Sequence, residues 1–166
     1  FYFEGNHDFH MGPFFTETLG AKVFPGPATL DIAGKLTYLC HGDQANPSDI
    51  PYRLLRLVFH SSFTRWLTHV VPPWVACAIA ERMGRKGREH LHLKGENPVF
   101  RKILEKHAAD QFAKGHDQVI AGHFHIPFTA SFPGTPVKKL VSLGAWAAGL
   151  HYAELVGDEI LLKNYD

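Results

Sequence analysis

The amino-acid sequence predicts an α/β fold whose chemically active residues lie at the ends of strands. Three segments support this prediction, because each is a short apolar or β-branched run that leads directly into a polar loop. The loops are Gly5-Asn6-His7-Asp8, His41-Gly42-Asp43 and Gly122-His123-Phe124-His125. In open α/β sheets, ligands bind beyond the carboxyl ends of the strands. We therefore expect the three loops to meet at one site.

The composition is that of a soluble globular domain. Of the 166 residues, 45% are hydrophobic and 20% are charged, which fits one domain with a real core. The formal net charge of +1 argues against general nucleic-acid binding, whereas 12 histidines point to metal or acid–base chemistry. Cys40 and Cys77 lack CxxC spacing, which predicts two buried free thiols in a cytosolic protein. The apolar run from Val70 to Ala80 contains Pro72-Pro73 and is too short to span a bilayer.

The first 43 residues are predicted to form short strands and one short helix. After a strand that precedes the first loop, the elements are a helix from Pro13 to Leu19 and strands at Lys22–Phe24, Ala28–Ile32 and Leu36–Cys40. Gly20 ends the helix, and Ala33-Gly34-Lys35 joins the last two strands as a hairpin turn. The second strand of this hairpin leads into His41.

A helical insertion is predicted for residues 44–96. One helix is expected from Tyr52 to Val71 and a second from Trp74 to Met83, with Pro72-Pro73 as the turn between them. The apolar face of the first helix comprises Leu55, Phe59, Phe63, Trp66 and Val70. A basic, flexible exit follows at Gly84–Arg88. The chain would thus consist of a core, residues 1–43 and 97–166, and a helical cap, residues 44–96.

A third helix returns the chain to the core. Asn97 is its predicted N-cap, Pro98 its first residue, and Gly115 lies beyond its end. Its buried face is predicted to contain Phe100, Ile103, Leu104, His107, Ala108, Gln111 and Phe112. Short strands follow at Gln118–Ala121, Phe128–Phe132, Val137–Leu143, Tyr152–Val156 and Glu159–Lys163. Several of them are expected to pair antiparallel.

The three loops offer metal ligands. Asn6 supplies an amide oxygen, and His41, His123 and His125 supply imidazole nitrogens, a donor set that suits Mn²⁺, Fe²⁺ or Zn²⁺. Histidines at i and i+2 normally point apart, so His123 and His125 would serve two neighbouring ions better than one. Ions about 3.5–4 Å apart stabilise the attacking and leaving oxygens of an in-line displacement. The pattern predicts a binuclear site acting on phosphorus.

The ordered motifs Gly-Asn-His-Asp, His-Gly-Asp and Gly-His-x-His resemble those of the calcineurin-like metallophosphoesterases over nearly the whole chain. The resemblance implies a layered β-sandwich flanked by helices, of which this chain would be the C-terminal part. It also implies that Asn6, His41 and His123 bind one ion and His125 the other. The imidazole of His7 would stabilise the transition state or protonate the leaving group, and Asp8 would orient it.

Two further motifs of that family, an Asp-x-His and a Gly-Asp pair, have no counterpart in the sequence. They would precede Phe1, which is not an initiator Met and opens within a predicted strand, so we expect a fragment. One ion would then keep three protein ligands and the other only His125. We therefore expect the chain alone to bind metal weakly and to be inactive.

The insertion is similar to that of the UDP-2,3-diacylglucosamine diphosphatases of lipid A biosynthesis, as are the segments Leu143–Trp146 and His151–Ala153. This similarity implies cleavage of the pyrophosphate to UMP and the diacylated sugar 1-phosphate, usually with Mn²⁺, by a cytoplasmic protein at the inner membrane surface. The implied substrate contacts are Phe63, Trp66 and Trp74 for acyl chains, Arg82, Arg85, Lys86 and Arg88 for phosphate or anionic lipid, and His10 at the pocket.

Two alternatives stay open. Many members of that subfamily have Arg where His7 stands, and His7 keeps the pattern of general phosphoesterases, so another phosphodiester or a nucleotide is a second candidate substrate. A third hypothesis treats the chain as a catalytically incomplete fragment with a role in lipid contact or assembly. Outside the motifs, histidines at positions 60, 69, 107 and 116 are expected at helix surfaces or interfaces.

Overall fold

The computed structural model describes residues 1–79, 81–82 and 98–165. The candidate contacts Arg85, Lys86 and Arg88 and the predicted N-cap Asn97 lie outside these ranges. The described residues form a mixed α/β structure, which confirms the predicted fold class at that level. The layered β-sandwich of the metallophosphoesterases stays a prediction.

The N-terminal segment forms a small sheet of its own. Strand β1 (Tyr2–Phe3) pairs in parallel with β2 (Val23–Phe24). Between them, Phe14–Thr18 form a single π-helical turn, which confirms the predicted short helix. Gly20 follows with φ = +63°, a left-handed conformation that glycine adopts without strain.

A mixed five-stranded sheet forms the centre of the fold. Its strands are β3 (Ala28–Ile32), β4 (Lys35–Cys40), β5 (Gln118–Ala121), β6 (Phe128–Phe132) and β7 (Lys138–Ser142). The spatial order is β3-β4-β5-β7-β6, in which β4, β5 and β7 are parallel and the outer strands pair antiparallel. Parallel neighbours end at the same edge of a sheet, so this topology brings the residues that follow β4 and β5 side by side.

The hydrophobic core lies between this sheet and one long helix. Helix α4, the long helix predicted above, spans Pro98–Ala113 and is followed by Gly115 with φ = +100°. Leu104 and Ala108 of this helix are fully buried, as are Val119 of β5 and Leu140 of β7. The helix therefore covers the parallel strands and holds their ends in place.

The predicted first helix of the insertion is wrong in one respect, because two helices occupy that segment. Helix α1 (Ile50–Phe59) begins at Asp49, whose side chain accepts from the Tyr52 N–H at 3.1 Å. Helix α2 (Ser62–Val70) begins at Ser61, whose hydroxyl accepts from the Thr64 N–H at 3.2 Å. This cap satisfies a helix N-terminus in mid-segment and thereby breaks the helix. Residues 73–79, helix α3, and residues 81–82 are also helical, in agreement with the second predicted helix.

The C-terminal part contains one helix that was not predicted. Helix α5 (Trp146–Gly149) precedes β8 (His151–Val156) and β9 (Glu159–Asn164), which form a separate antiparallel pair. The prediction of two buried thiols is wrong for Cys77, which is exposed, and Cys40 is only partly buried. No helix in the described ranges combines the length and apolar character needed to cross a membrane.

Candidate metal centre

Three predicted ligands meet at one point of the structure. Nε2 of His41 lies 2.9 Å from Oδ1 of Asn6, and Nδ1 of His123 lies 3.2 Å from each of those two atoms. The three residues belong to different loops, as the sequence predicted. Three atoms that can each offer a lone pair thus lie at distances typical of hydrogen bonds.

The sheet topology explains this convergence. His41 follows β4, and His123 comes two residues after β5, where Cys40 and Ala121 are paired in parallel register. The Gly122 N–H donates to the His41 carbonyl at 2.9 Å, which continues the pairing beyond the strands. The sheet therefore sets the relative position of the two histidines.

Backbone conformation aims the His123 ring. His123 has φ = +69°, and the Phe124 N–H donates across it to the Gly122 carbonyl at 2.8 Å, which is the pattern of a γ-turn. His125 also has a positive φ of +58°. A non-glycine residue in this region is strained, and such strain concentrates at functional sites. Because neither residue is extended, the alternation of a strand does not govern where these two side chains point.

Glycine is required where the second and third loops touch. Gly42 has φ = +106°, and a Cβ atom there would lie 2.7 Å from the Gly122 carbonyl oxygen and 3.2 Å from Cβ of His123. Gly5 meets a similar constraint, since its Cβ would lie 2.8 Å from Cε1 of His41. These close approaches let the three loops pack tightly enough for their donors to meet.

Two acidic side chains shape the first loop. The Asp8 carboxylate accepts from the Gly5 N–H at 2.8 Å and from the Tyr2 hydroxyl, and the buried Glu4 accepts from the Met11 N–H at 3.0 Å. One Asp8 oxygen thus closes the turn with Gly5 and the other binds Tyr2, while its expected orientation of His7 stays a prediction. His7 itself is exposed beside Asn6. Its role in catalysis stays a prediction.

The surroundings of His41 favour its neutral form. Burial lowers the pKa of His41, while the charges of Asp43 and Asp8 act in the opposite direction. A neutral imidazole is the form that binds a metal ion. The charges of Arg56 and His125 lower the pKa of His41 further.

The donor arrangement fits a divalent ion. Donor atoms that coordinate one ion octahedrally at about 2.1 Å lie about 3.0 Å apart, and the three separations measured here are 2.9, 3.2 and 3.2 Å. Within the part of the chain that the structure describes, no three His, Cys, Asp or Glu side chains form such a group. The set therefore depends on the amide of Asn6, and with three donors it would form only part of a coordination shell.

Sequence reasoning missed a buried ion pair beside this centre. Asp43 is 6% exposed, and its carboxylate accepts from Arg56 Nη1 at 2.7 Å and from the Tyr52 hydroxyl at 2.5 Å. The Tyr52 ring lies 6.3 Å from the ring of His123. Burial and the hydrogen bond to Asp43 raise the pKa of Tyr52, so its hydroxyl stays a donor at neutral pH. The i, i+4 spacing puts Tyr52 and Arg56 on one face of α1, but no sequence pattern pairs that face with Asp43.

The predicted substrate contacts do not all lie at this centre. His10 Nε2 is 2.6 Å from the Phe59 carbonyl, so this ring contacts the end of α1. Phe63, Trp66 and Trp74 are 66%, 57% and 74% exposed on the insertion, and Arg82 is exposed as well. The insertion thus presents large aromatic side chains to the surroundings.

Comparison with known proteins identifies relatives over most of the chain. The chain is 29% identical to the UDP-2,3-diacylglucosamine hydrolase of Actinobacillus succinogenes over 98% of its own length and 68% of that protein. It is 31% identical to the enzyme of that name from Shewanella sp. (strain MR-4), over 88% of this chain and 60% of the relative. The enzyme from Xanthomonas axonopodis pv. citri is 30% identical, over 88% and 62%.

The chain is homologous to the UDP-2,3-diacylglucosamine hydrolases. This finding confirms the resemblance to that group of enzymes. The chain spans between 60% and 68% of the length of these three relatives. No protein-family model matches the sequence.

Proposed function

We propose that this chain contributes the metal centre and the helical cap to a phosphoesterase that hydrolyses UDP-2,3-diacylglucosamine in lipid A biosynthesis. The products would be UMP and 2,3-diacylglucosamine 1-phosphate. The observation that carries the proposal is the meeting of the Asn6 amide oxygen with the ring nitrogens of His41 and His123. The homologues, which are hydrolases by name, supply the choice of substrate.

Two divalent ions, Mn²⁺ by preference and Fe²⁺ or Zn²⁺ as alternatives, would supply Lewis-acid stabilisation of charge on the phosphoryl group. Asn6, His41 and His123 would hold one ion, and His125 would belong to the second. A calcineurin-like β-sandwich would carry the remaining ligands. The lowered pKa of His41 supports this assignment, because the neutral imidazole is the form that binds a metal ion.

The first loop would provide proton transfer. His7 is exposed and next to Asn6 in the sequence, and its imidazole would contact a phosphate held at the centre. Water would form a new bond to one phosphorus and lose a proton to the solvent, while the bond from that phosphorus to the bridging oxygen breaks. The bridging oxygen would leave with the other phosphate, and His7 would protonate it. Asp8 would keep this loop in place, because its carboxylate accepts from both the Gly5 N–H and the Tyr2 hydroxyl.

The cap would contact the lipid. Phe63, Trp66 and Trp74 expose aromatic rings that could cover acyl chains and attach the protein to the cytoplasmic face of the inner membrane as a peripheral protein. Arg82 would meet phosphate, together with the basic residues at positions 85, 86 and 88. The exposure of so many apolar side chains on one insertion supports this role.

The test is an assay of the full-length protein with Mn²⁺ and the diacylated UDP-sugar, in which UMP is the expected product. A parallel reaction contains a generic phosphodiester, and another contains excess EDTA. Turnover of the diester without UMP release would favour a phosphoesterase for another substrate, the alternative that His7 suggests. Absence of both activities would favour an assembly or lipid-contact role.

A further inference from the structure

The base of the insertion is attached to the candidate metal centre through one carboxylate. Oδ2 of Asp43 accepts from both Tyr52 and Arg56 of α1, and Arg56 Nη2 also donates to the Pro25 carbonyl at 2.8 Å. Asp43 comes two residues after His41. The contact therefore joins the first helix of the insertion to the loop that carries a metal ligand.

The ion pair between Asp43 and Arg56 is buried, unlike an ion pair at a protein surface. The side chains of Asp43 and Arg56 are 3% and 11% exposed. The cost of removing two charges from water can exceed their attraction, so a buried pair adds little stability by itself. Its defined geometry can instead fix the position of the elements that carry the two charges.

The position of Asp43 affects two candidate metal ligands, His41 and His123. Between His41 and Asp43, Gly42 is wedged against Gly122 and His123, with no room for a side chain. A shift of the Asp43 carboxylate would therefore move both the His41 backbone and the His123 turn. The contact between the rings of Tyr52 and His123 is a second connection between α1 and these ligands.

The far end of α1 contacts the first loop. The ring of Phe59 stacks on Phe9 at a centroid distance of 5.2 Å, and His10 contacts the Phe59 carbonyl. Both ends of α1 thus touch loops that carry donors. Helix α1 is therefore attached to the core at both ends.

We infer that Tyr52 and Arg56 are positioning residues, which act through Asp43 to hold His41 and His123 in the geometry that binds metal. The inference rests on the proposed function. It assigns α1 to the metal centre rather than to the lipid-contacting surface. Neither residue needs to touch the substrate for this role.

The experiment compares variants of the full-length protein by Mn²⁺ titration, thermal unfolding in EDTA and UMP release. Tyr52→Phe keeps the ring and removes the donor, so we expect about tenfold weaker Mn²⁺ binding and a lower kcat, with KM nearly unchanged. Arg56→Lys keeps a charge beside Asp43 and should retain more Mn²⁺ affinity than Arg56→Met. Arg53→Ala is the matched control on the exposed side of α1 and should stay within about twofold of wild type.

Two results overturn the inference. In the first, Tyr52→Phe binds Mn²⁺ as tightly as Arg53→Ala. In the second, the Arg56 variants lose thermal stability while their Mn²⁺ affinity is unchanged, which would make the pair merely structural. A wild-type protein that neither binds Mn²⁺ nor releases UMP would refute the proposed function as well, and the wild-type measurement distinguishes the two failures.

Discussion

Nδ1 of His123 lies 3.2 Å from Nε2 of His41, although 82 residues separate them in the sequence. A close approach of two imidazole nitrogens requires either a shared proton or a shared cation, since two lone pairs repel. Asn6 completes the group with an oxygen that can only accept. A cation would bind all three atoms at once.

Removing either imidazole should therefore impair metal binding. We expect His41→Ala and His123→Ala each to weaken Mn²⁺ binding at least about tenfold, because each removes one of three donors. UMP release should be lost with it. His69→Ala, at an exposed histidine of α2, is the control. Unchanged Mn²⁺ titration curves for both variants would contradict the proposed centre.

Gly42 should tolerate no side chain. Gly42→Ala would incur the strain of a positive φ and also a contact of 2.7 Å with the Gly122 carbonyl oxygen. Gly20→Ala shares the positive φ but has open space around its Cβ. Urea denaturation should show Gly42→Ala to be about 1–3 kcal/mol less stable than Gly20→Ala. Equal stabilities of the two variants would mean that the second and third loops leave room for a Cβ atom at position 42.

The aromatic side chains of α2 should matter for lipid substrates alone. Replacing Phe63 and Trp66 by Ser should reduce binding to anionic lipid vesicles and turnover of the diacylated substrate, while hydrolysis of a water-soluble diester persists. Trp146→Ser is the matched control, because Trp146 and Trp66 are both 57% exposed. Equal vesicle binding by all three proteins would argue against the lipid contact.

His107 should make the fold sensitive to acid. Burial lowers the pKa of His107 on α4, with Asp110 acting in the opposite direction. The unfolded chain then takes up a proton at higher pH than the folded one, so stability is full above the unfolded pKa of about 6.5 and falls as the pH drops below it. In EDTA, lowering the pH from 7.5 to 5.5 should reduce the melting temperature of His107→Gln by less than that of the wild-type protein. An identical fall in melting temperature in both proteins would exclude His107 as a source of the acid sensitivity.

Local patterns predicted much of the fold. The face of α4 and the limits of β5 and β6 follow from periodicity, and the β3–β4 hairpin follows from its Ala33-Gly34 turn, where both residues have positive φ. The break before α2 was missed because the apolar spacing continues through Ser61, whose hydroxyl caps the new helix. Four-residue α5 is too short to show any period.

The sequence predicted which loops form the candidate site, but not the hydrogen bonds that hold them. The order of the motifs pointed to Asn6, His41 and His123, because each follows an apolar strand. The partners of Asp43 and Asp8 were not predictable, since both depend on tertiary contacts of side chains that are ordinary in a loop or on a solvated helix face. Only the folded chain shows Asp8 bound to Tyr2, or Asp43 bound to Arg56.

The parallel pairing of β4 with β5 has a consequence for how relatives of this chain can diverge. Everything between Cys40 and Gln118 is a loop closed by that pairing. The entropy cost of closing a loop grows only logarithmically, by about 0.6 kcal/mol for each doubling of its length. Segments between α1 and α4 can therefore be lengthened, shortened or exchanged during evolution at small thermodynamic cost, so ligand preference can change while the residues at the strand ends are kept.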